Sequence, residues 1–502
     1  MYYQSTRDKN TQTSAAGAIV LGLARDGGLF VPQIIPRLTR YEIENMAKMS
    51  YQGRAVDILR RFLTDFDNDE IKACVDSAYN KTKFETDSVA PVYKLYENLY
   101  ILELWHGPTC AFKDMALQIL PHLLTVSAKK EGVSEDIAIL VATSGDTGKA
   151  ALEGFRDVDK TKIIVFYPRD GVSNIQKLQM VTQEGENVGV CAVDGNFDDA
   201  QNGVKSIFSD KEFEKLLKNK NIVLSSANSI NWGRLVPQIV YYFSAYADLI
   251  KNEQIEMGAQ INVVVPTGNF GNILAAYYAK CMGLPVKKLI CASNLNNVLT
   301  DFIKSGTYDR NRSFKTTVSP SMDILISSNL ERFLYDITGG DTEKIRTWMG
   351  ELSKNGSYTV DDETRDAMSK LLWAGFCDDD GTIAQIKKTE EEYSYVLDTH
   401  TAVGMNVYAQ YVKETGDETK TVIASTASPY KFSESVAAAV FGEENIQSMD
   451  DLEIIEKLSE RSGIKIPASL SELGEKKVRF EEVCTPSSMK TMVEKILGIN
   501  NG

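Results

Sequence analysis

DIAILVATSGDTGKAALEGF (136–155) opens with an apolar strand, DIAILVAT (136–143), passes through a glycine-containing turn and enters a helix, KAALEGF. The unit then recurs. KIIVFYP (162–168) precedes SNIQKLQMVTQEG (173–185), and VGVCAV (188–193) precedes DDAQNGVKSIFSD (198–210). IVLSSA (222–227) leads into the long apolar segment RLVPQIVYYFSAYADLI (234–250). INVVVPT (261–267), ILAAYYAKCMG (273–283) and KKLICAS (287–293) continue the alternation. Continuous apolar strands separated by helices predict a parallel sheet buried on both faces. That is an open α/β architecture, whose ligands bind beyond the carboxyl ends of the strands.

Outward from this core the pattern weakens. The first ninety or so residues read as mostly helical, with an apolar stripe in AAGAIVLGLA, punctuation at Gly27, Gly28 and Pro32, and a helical pattern from Arg40 to about Tyr79. Residues from about Asn296 to Asp380 read as a mixed, mainly helical insertion. TVIASTASPYKF (421–432) is a last α/β piece, and the segment after Phe441 is acidic and helical. The expected division is an N-terminal domain over 1–95, an α/β catalytic region over 96–440 built of two open parallel-sheet subdomains, and a helical tail over 441–502.

The totals bound the function. A chain of 502 residues is too long for one core. Its net charge of −14 argues against a general nucleic-acid or anionic-membrane partner. An anionic substrate must then be caught by a local pocket. The seven cysteines (Cys74, Cys110, Cys191, Cys281, Cys291, Cys377 and Cys484) form no C-x-x-C pair, which fits a reduced cytoplasmic chain better than a disulfide framework or a zinc site. MYYQSTRDKN lacks the apolar run of a signal peptide, and no stretch approaches the roughly 20 apolar residues needed to span a bilayer.

Five segments carry chemistry. In WHGPTCAFKDMAL (105–117), Lys113 stands at a helix start beside Asp114; a desolvated lysine there could form a Schiff base, although F-K-D alone reads more simply as a solvated helix start. VATSGDTGKAA (141–151) is a strand–turn–helix junction whose backbone N–H groups suit an anion, or whose Ser144 or Thr147 merely caps the helix. It is not a Walker A loop, because two residues rather than four separate Gly145 from Gly148-Lys149. VVVPTGNFGNILAAYY (263–278) repeats the logic, with Gly268 and Gly271 permitting close approach of a phosphate; it lacks the dinucleotide fingerprint. SSANSINWGR (225–234) offers Asn228, Ser229, Asn231 and Arg234 to an oxyanion, or else simply caps a helix. STASPYKF (425–432) places Ser425 and Thr426 at a strand end, where a hydroxyl can hydrogen-bond a pyridine nitrogen. The histidines, His106, His122 and His400, show no metal-ligand spacing.

In this order the segments resemble threonine synthase over roughly residues 2–435. YQSTRDKNTQTSAAGAIVLGLARDGGLFVP is similar to that family's N-terminal domain, and HGPTCAFKD to its lysine motif. ATSGDTG, NFDDAQ, NSIN-x-x-R, PTGNFGN, HTAVG and TASPYKF follow in family order. The resemblance implies a fold-type II pyridoxal-phosphate (PLP) enzyme that converts O-phospho-L-homoserine and water to L-threonine and phosphate, as a monomer or homodimer. It implies that Lys113 carries PLP and acts as the base at Cα. Gly268, Asn269, Phe270, Gly271 and Asn272 would hold the cofactor phosphate, and Thr426 would face the pyridine nitrogen. Ser144, Gly145, Asp146 and Thr147 would receive the substrate carboxylate; Asn228, Ser229 and Arg234, with Lys149 secondary, would receive its phosphate. Cys110 replaces the leucine usual in the lysine motif, Asn272 an aspartate, Thr399 a proline and Ser428 a histidine. A related phospholyase giving 2-oxobutyrate, ammonia and phosphate would share these features. A dehydratase of the same fold would not need the second anion site, and a non-catalytic phosphate-ligand protein would need neither the lysine nor the glycine loop.

Overall fold

In the computed structural model, which describes residues 1–170 and 172–499, the apolar runs form two separate sheets. The smaller has five strands in the order Val483–Cys484, Val188–Val193, Thr161–Pro168, Asp136–Ala142 and Ile222–Ser225, all parallel. The larger has six, in the order Leu372–Phe376, Val286–Ser293, Ile261–Pro266, Thr421–Ser425, Leu99–Glu103 and Val92–Tyr96. Only its last pair is antiparallel. The inner strands are covered on both faces. All six residues of Val188–Val193 and of Ile261–Pro266 are buried, so their sequences need no polar alternation.

Helix Trp232–Lys251 is apolar nearly all round and buried over almost its whole length, as a helix at the centre of a large protein should be. It packs against helices Gly271–Cys281 and Tyr51–Phe62, tying the N-terminal region to the larger sheet.

Three elements depart from the sequence reading. The N-terminal region holds the expected helices, Ala15–Leu21, Arg40–Met46, Tyr51–Phe62 and Asn68–Ala78, but also a three-stranded antiparallel sheet of Gln12–Thr13, Tyr3–Ser5 and Phe30–Pro32. The mainly helical insertion contains the edge strand Leu372–Phe376 and a small ribbon, Thr307–Asp309 with Ser357–Thr359. The acidic tail contributes Val483–Cys484 to the smaller sheet and lays helix Met489–Leu497 against helix Phe197–Ser209. Strands of two or three residues carry too little periodicity to be read from sequence, and Leu372–Phe376 lies between two helical patterns.

Among the described residues no helix is long and apolar enough to cross a membrane, all seven cysteines are free thiols, and no acidic, thiol and imidazole cluster could hold a metal ion.

Candidate active site

Lys113 lies at the start of the short helix Asp114–Leu117, and its loop is stitched to the loop that follows strand Thr421–Ser425. Phe112 N donates to Thr426 O (2.8 Å), Ser428 N to Cys110 O (3.0 Å) and Lys431 Nζ to Thr109 O (2.9 Å). Behind the lysine, buried Asp114 accepts from both Thr109 N and Thr109 Oγ1 at 2.8 Å. Burial lifts its carboxyl to about 6 despite those bonds. A Cβ on Gly107 would fall 2.6 Å from Asp114, so the H-G-P-T turn needs glycine there. Ser428, at the position of the family's histidine, is buried and caps the turn Pro429–Phe432 that carries Lys431.

A pocket at the carboxyl end of the larger sheet gathers Lys113, the 268–272 loop, Thr426, Ser229 and Arg234. Phe270 adopts a left-handed conformation (φ +63°) as the chain turns into helix Gly271–Cys281, whose N-terminus faces this space. A Cβ on Gly268 would lie 3.0 Å from Ser321 O. Asn329 N donates to Asn269 O (3.1 Å) and Ser327 Oγ to Gly268 O (2.8 Å), so the insertion braces the loop from behind.

Electrostatically the pocket is cationic. Burial first, and then the Arg234 cation, bring the Lys113 amine down to about 8. Burial alone brings Arg234 to about 10. Arg234 Nη1 donates to Ala227 O (2.7 Å), whereas its Nε is buried without a partner. Asn272 Oδ1 accepts from Tyr241 OH (2.8 Å) and from Tyr242 OH, and its buried Nδ2 has no partner. Two orphaned donors therefore border the same space as the lysine. That disposition costs stability unless an anion occupies it.

The other candidates separate. Ser144, Gly145, Asp146, Thr147 and Asn228 do not line this pocket. Asn228 is exposed and accepts from Ser229 Oγ (3.2 Å). Asp146 is buried, and its carboxylate takes Lys431 Nζ (2.7 Å), Gln176 Nε2 (3.0 Å) and Ser321 Oγ (3.0 Å). Burial would raise its carboxyl, but Lys431 holds it well below the usual carboxylate range. Gly145 and Gly148 give their amides to Thr143 Oγ1 (3.0 and 2.8 Å). Lys149 lines a different crevice, with Arg156 and the tail residue Lys476. Asn231 caps helix Trp232–Lys251, and Ser425 is taken up by Trp105 Nε1 and Thr401 Oγ1 (both 3.0 Å), which leaves Thr426 as the strand-end hydroxyl at the pocket. Gln238, Ser321, Met322 and His400 also line it. Gln238 was hidden in an apolar helix and the 321–322 turn in a segment without periodicity; HTAVG was the one legible signal for His400.

Two parallel α/β sheets, with a lysine, a glycine loop at a helix N-terminus and a strand-end hydroxyl converging on one pocket, define a fold-type II PLP-dependent enzyme. The family models agree: residues 2–79 match "Threonine synthase N terminus", 88–427 "Pyridoxal-phosphate dependent enzyme" and 401–493 "Threonine synthase, C-terminal". The chain is similar to threonine synthase of Saccharomyces cerevisiae, 37% identical over 99% of this chain and 98% of that one. It is 41% identical to human "Threonine synthase-like 1" over 84% of its own length, but spans 57% of that longer protein. The crystal structure of PLP-bound threonine synthase from Brucella melitensis superposes with a TM-score of 0.87 at 36% identity, covering 100% of both chains. This chain belongs to the threonine synthase family.

Proposed function

We propose that this chain is a PLP-dependent lyase of the cytoplasm that converts O-phospho-L-homoserine and water to L-threonine and phosphate. The carrying observation is the pair of unpartnered buried donors, Asn272 Nδ2 and Arg234 Nε, beside a half-buried lysine whose amine is lowered to about 8. One donor sits in the glycine loop and the other in the NSINWGR segment, which suits a reaction that holds two phosphates at once.

The pocket's residues fit PLP. Lys113 would carry it, the Gly268–Asn272 backbone and Asn272 Nδ2 would hold its phosphate, and Thr426 Oγ1 would face its ring nitrogen. A hydroxyl can pair with that nitrogen without protonating it. When bound, PLP supplies an electron sink for charge developing on the substrate's carbon chain.

The protein's own groups do the rest. Lys113 Nζ, with a lowered proton affinity, takes the proton from Cα in one step and returns it in another, which an ordinary lysine at neutral pH would do poorly. Arg234 and Ser229 receive the substrate phosphate and stabilise it as it leaves, and Asn228 reaches them from the rim. The backbone amides of Ser144, Asp146 and Thr147 receive the carboxylate, while the Gly145 amide and the Asp146 side chain, already engaged, brace that loop.

The test is incubation of the PLP-loaded protein with O-phosphohomoserine and identification of the products. Threonine in step with phosphate supports the reading. Phosphate with 2-oxobutyrate and ammonia would make the protein a phospholyase instead. Lys113→Ala should abolish the visible absorbance of the lysine-bound cofactor, and a protein that ignores added PLP would defeat the proposal outright.

A further inference from the structure

We infer that His400 is a positioning residue that holds the loop 144–147 in register with the pocket by way of Ser321 and Asp146; the inference rests on the reading of that loop as the carboxylate site. His400 is the second residue of helix Thr399–Thr415 and is 2% exposed. Ser321 N, which can only donate, lies 3.1 Å from its Nε2. Nε2 is therefore the acceptor, and the proton sits on Nδ1, 3.1 Å from Asp398 Oδ1. Asp398 is itself buried and further fixed by His400 N (2.9 Å) and Thr401 Oγ1, and Phe432 packs on the ring at 4.8 Å. A carboxylate behind an imidazole sets its tautomer and orientation.

The consequence passes through the turn Pro320–Met322. With its amide held by His400, Ser321 directs its Oγ to Asp146 Oδ2 (3.0 Å), while Lys431 and Gln176 occupy Oδ1. Asp146 opens helix Asp146–Phe155 directly after Gly145, whose φ of +129° and close approach to Gln176 (2.4 Å from a would-be Cβ) admit no side chain there. The latch thus joins three elements: a helix and an insertion turn on the larger sheet's side, and a helix start on the smaller sheet's side. Ser321 and His400 border the pocket with Lys113, whereas Ser144 and Thr147 do not. The Ser321–Asp146 bond is how the pocket wall reaches the loop.

A histidine that only fills space would behave differently from one that acts through an acceptor nitrogen, and a set of variants of the PLP-loaded protein separates the two. In His400→Phe, KM for O-phosphohomoserine should rise about tenfold, the usual weight of one hydrogen bond within a charged network, with kcat within about threefold and the visible cofactor spectrum unchanged. His400→Gln, whose amide oxygen can accept from Ser321 N, should recover most of that loss. Ser321→Ala should reproduce it, and the double variant should be no worse than the poorer single one. Independently of turnover, amide exchange at residues 144–148 and 321–323 should quicken in His400→Phe and be restored in His400→Gln. An unchanged KM, no rescue by glutamine, or additive losses would overturn the inference, and so would a shifted cofactor spectrum, which would put His400 against the cofactor. If the wild-type protein does not consume O-phosphohomoserine, the functional reading fails while the exchange comparison still decides the latch.

Discussion

Lys113 keeps its amine near 8 through burial and the Arg234 cation, in that order. The neutral, nucleophilic fraction therefore grows as pH rises through about 8, not through the ordinary value near 10.4. Cofactor-free protein should recombine with PLP about five times faster at pH 8 than at pH 7, and level off above about 9, when followed by absorbance. Arg234→Gln should move that midpoint upward, and a midpoint indifferent to the substitution would remove Arg234 from the account. Asn272 admits a second prediction. Its oxygen takes two tyrosine hydroxyls buried with it, so Asn272→Ala orphans Tyr242 OH, leaves Tyr241 OH only Gln238 Oε1 (3.1 Å), and loses the amide donor. Unfolding stability should fall by about 1–3 kcal/mol, together with PLP affinity; retention of both would mean that water replaces the amide.

At the scale of elements, helix Asp146–Phe155 presses on the helix that Lys113 begins. A Cβ on Gly154 would lie 2.0 Å from the carbonyl oxygen of Leu117, a backbone atom that cannot swing aside. Alanine elsewhere in a helix gains up to about 1 kcal/mol over glycine, but here the overlap dominates, and Gly154→Ala should cost about 1–3 kcal/mol and reduce PLP content. Gly350, inside helix Thr342–Asn355 with nothing within 4 Å of its would-be Cβ, is the matched control and should become more stable as alanine. Thermal unfolding of the two variants decides; equal shifts would mean that the helix pair slides freely. These elements were legible to very different degrees. The runs 136–143, 162–168, 188–193 and 261–267 announced themselves because a strand buried on both faces is apolar throughout. LWAGF (372–376) was lost because its helical flanks set the local pattern. Within the site, Lys113 is readable as a helix-start lysine in its H-G-P-T context, and Gly268–Asn272 and Thr426 as strand-end motifs. Ser321 and Gln238 were not, because their place in the pocket depends on tertiary packing that no local period encodes.

At the scale of the whole molecule, the chain's end completes what its middle begins. Val483–Cys484 pairs with Ala192–Val193, and helix Met489–Leu497 covers the outer helix of the smaller sheet. Two glycines make room for it: a Cβ on Gly189 would lie 2.7 Å from Ile496, and one on Gly203 would lie 2.2 Å from the Met489 sulfur. Cys484, Met489, Val493 and Leu497 are all buried in one cluster with Val193, Val204 and Phe213. Burying four such side chains contributes on the order of 6–12 kcal/mol as an upper figure, comparable with the roughly 5–15 kcal/mol that stabilises a typical protein. None of these residues lines the Lys113 pocket, so an effect of residues 482–502 on activity is indirect. Deleting residues 482–502 should therefore lower the unfolding temperature sharply and expose Val188–Val193 and Phe197–Ser209 to amide exchange. Strand Ile261–Pro266 of the larger sheet should stay protected. A truncated protein with the wild-type unfolding temperature would make the tail a passenger. One that lost protection equally in both sheets would show that the two fold as a single cooperative unit, with the tail stabilising both.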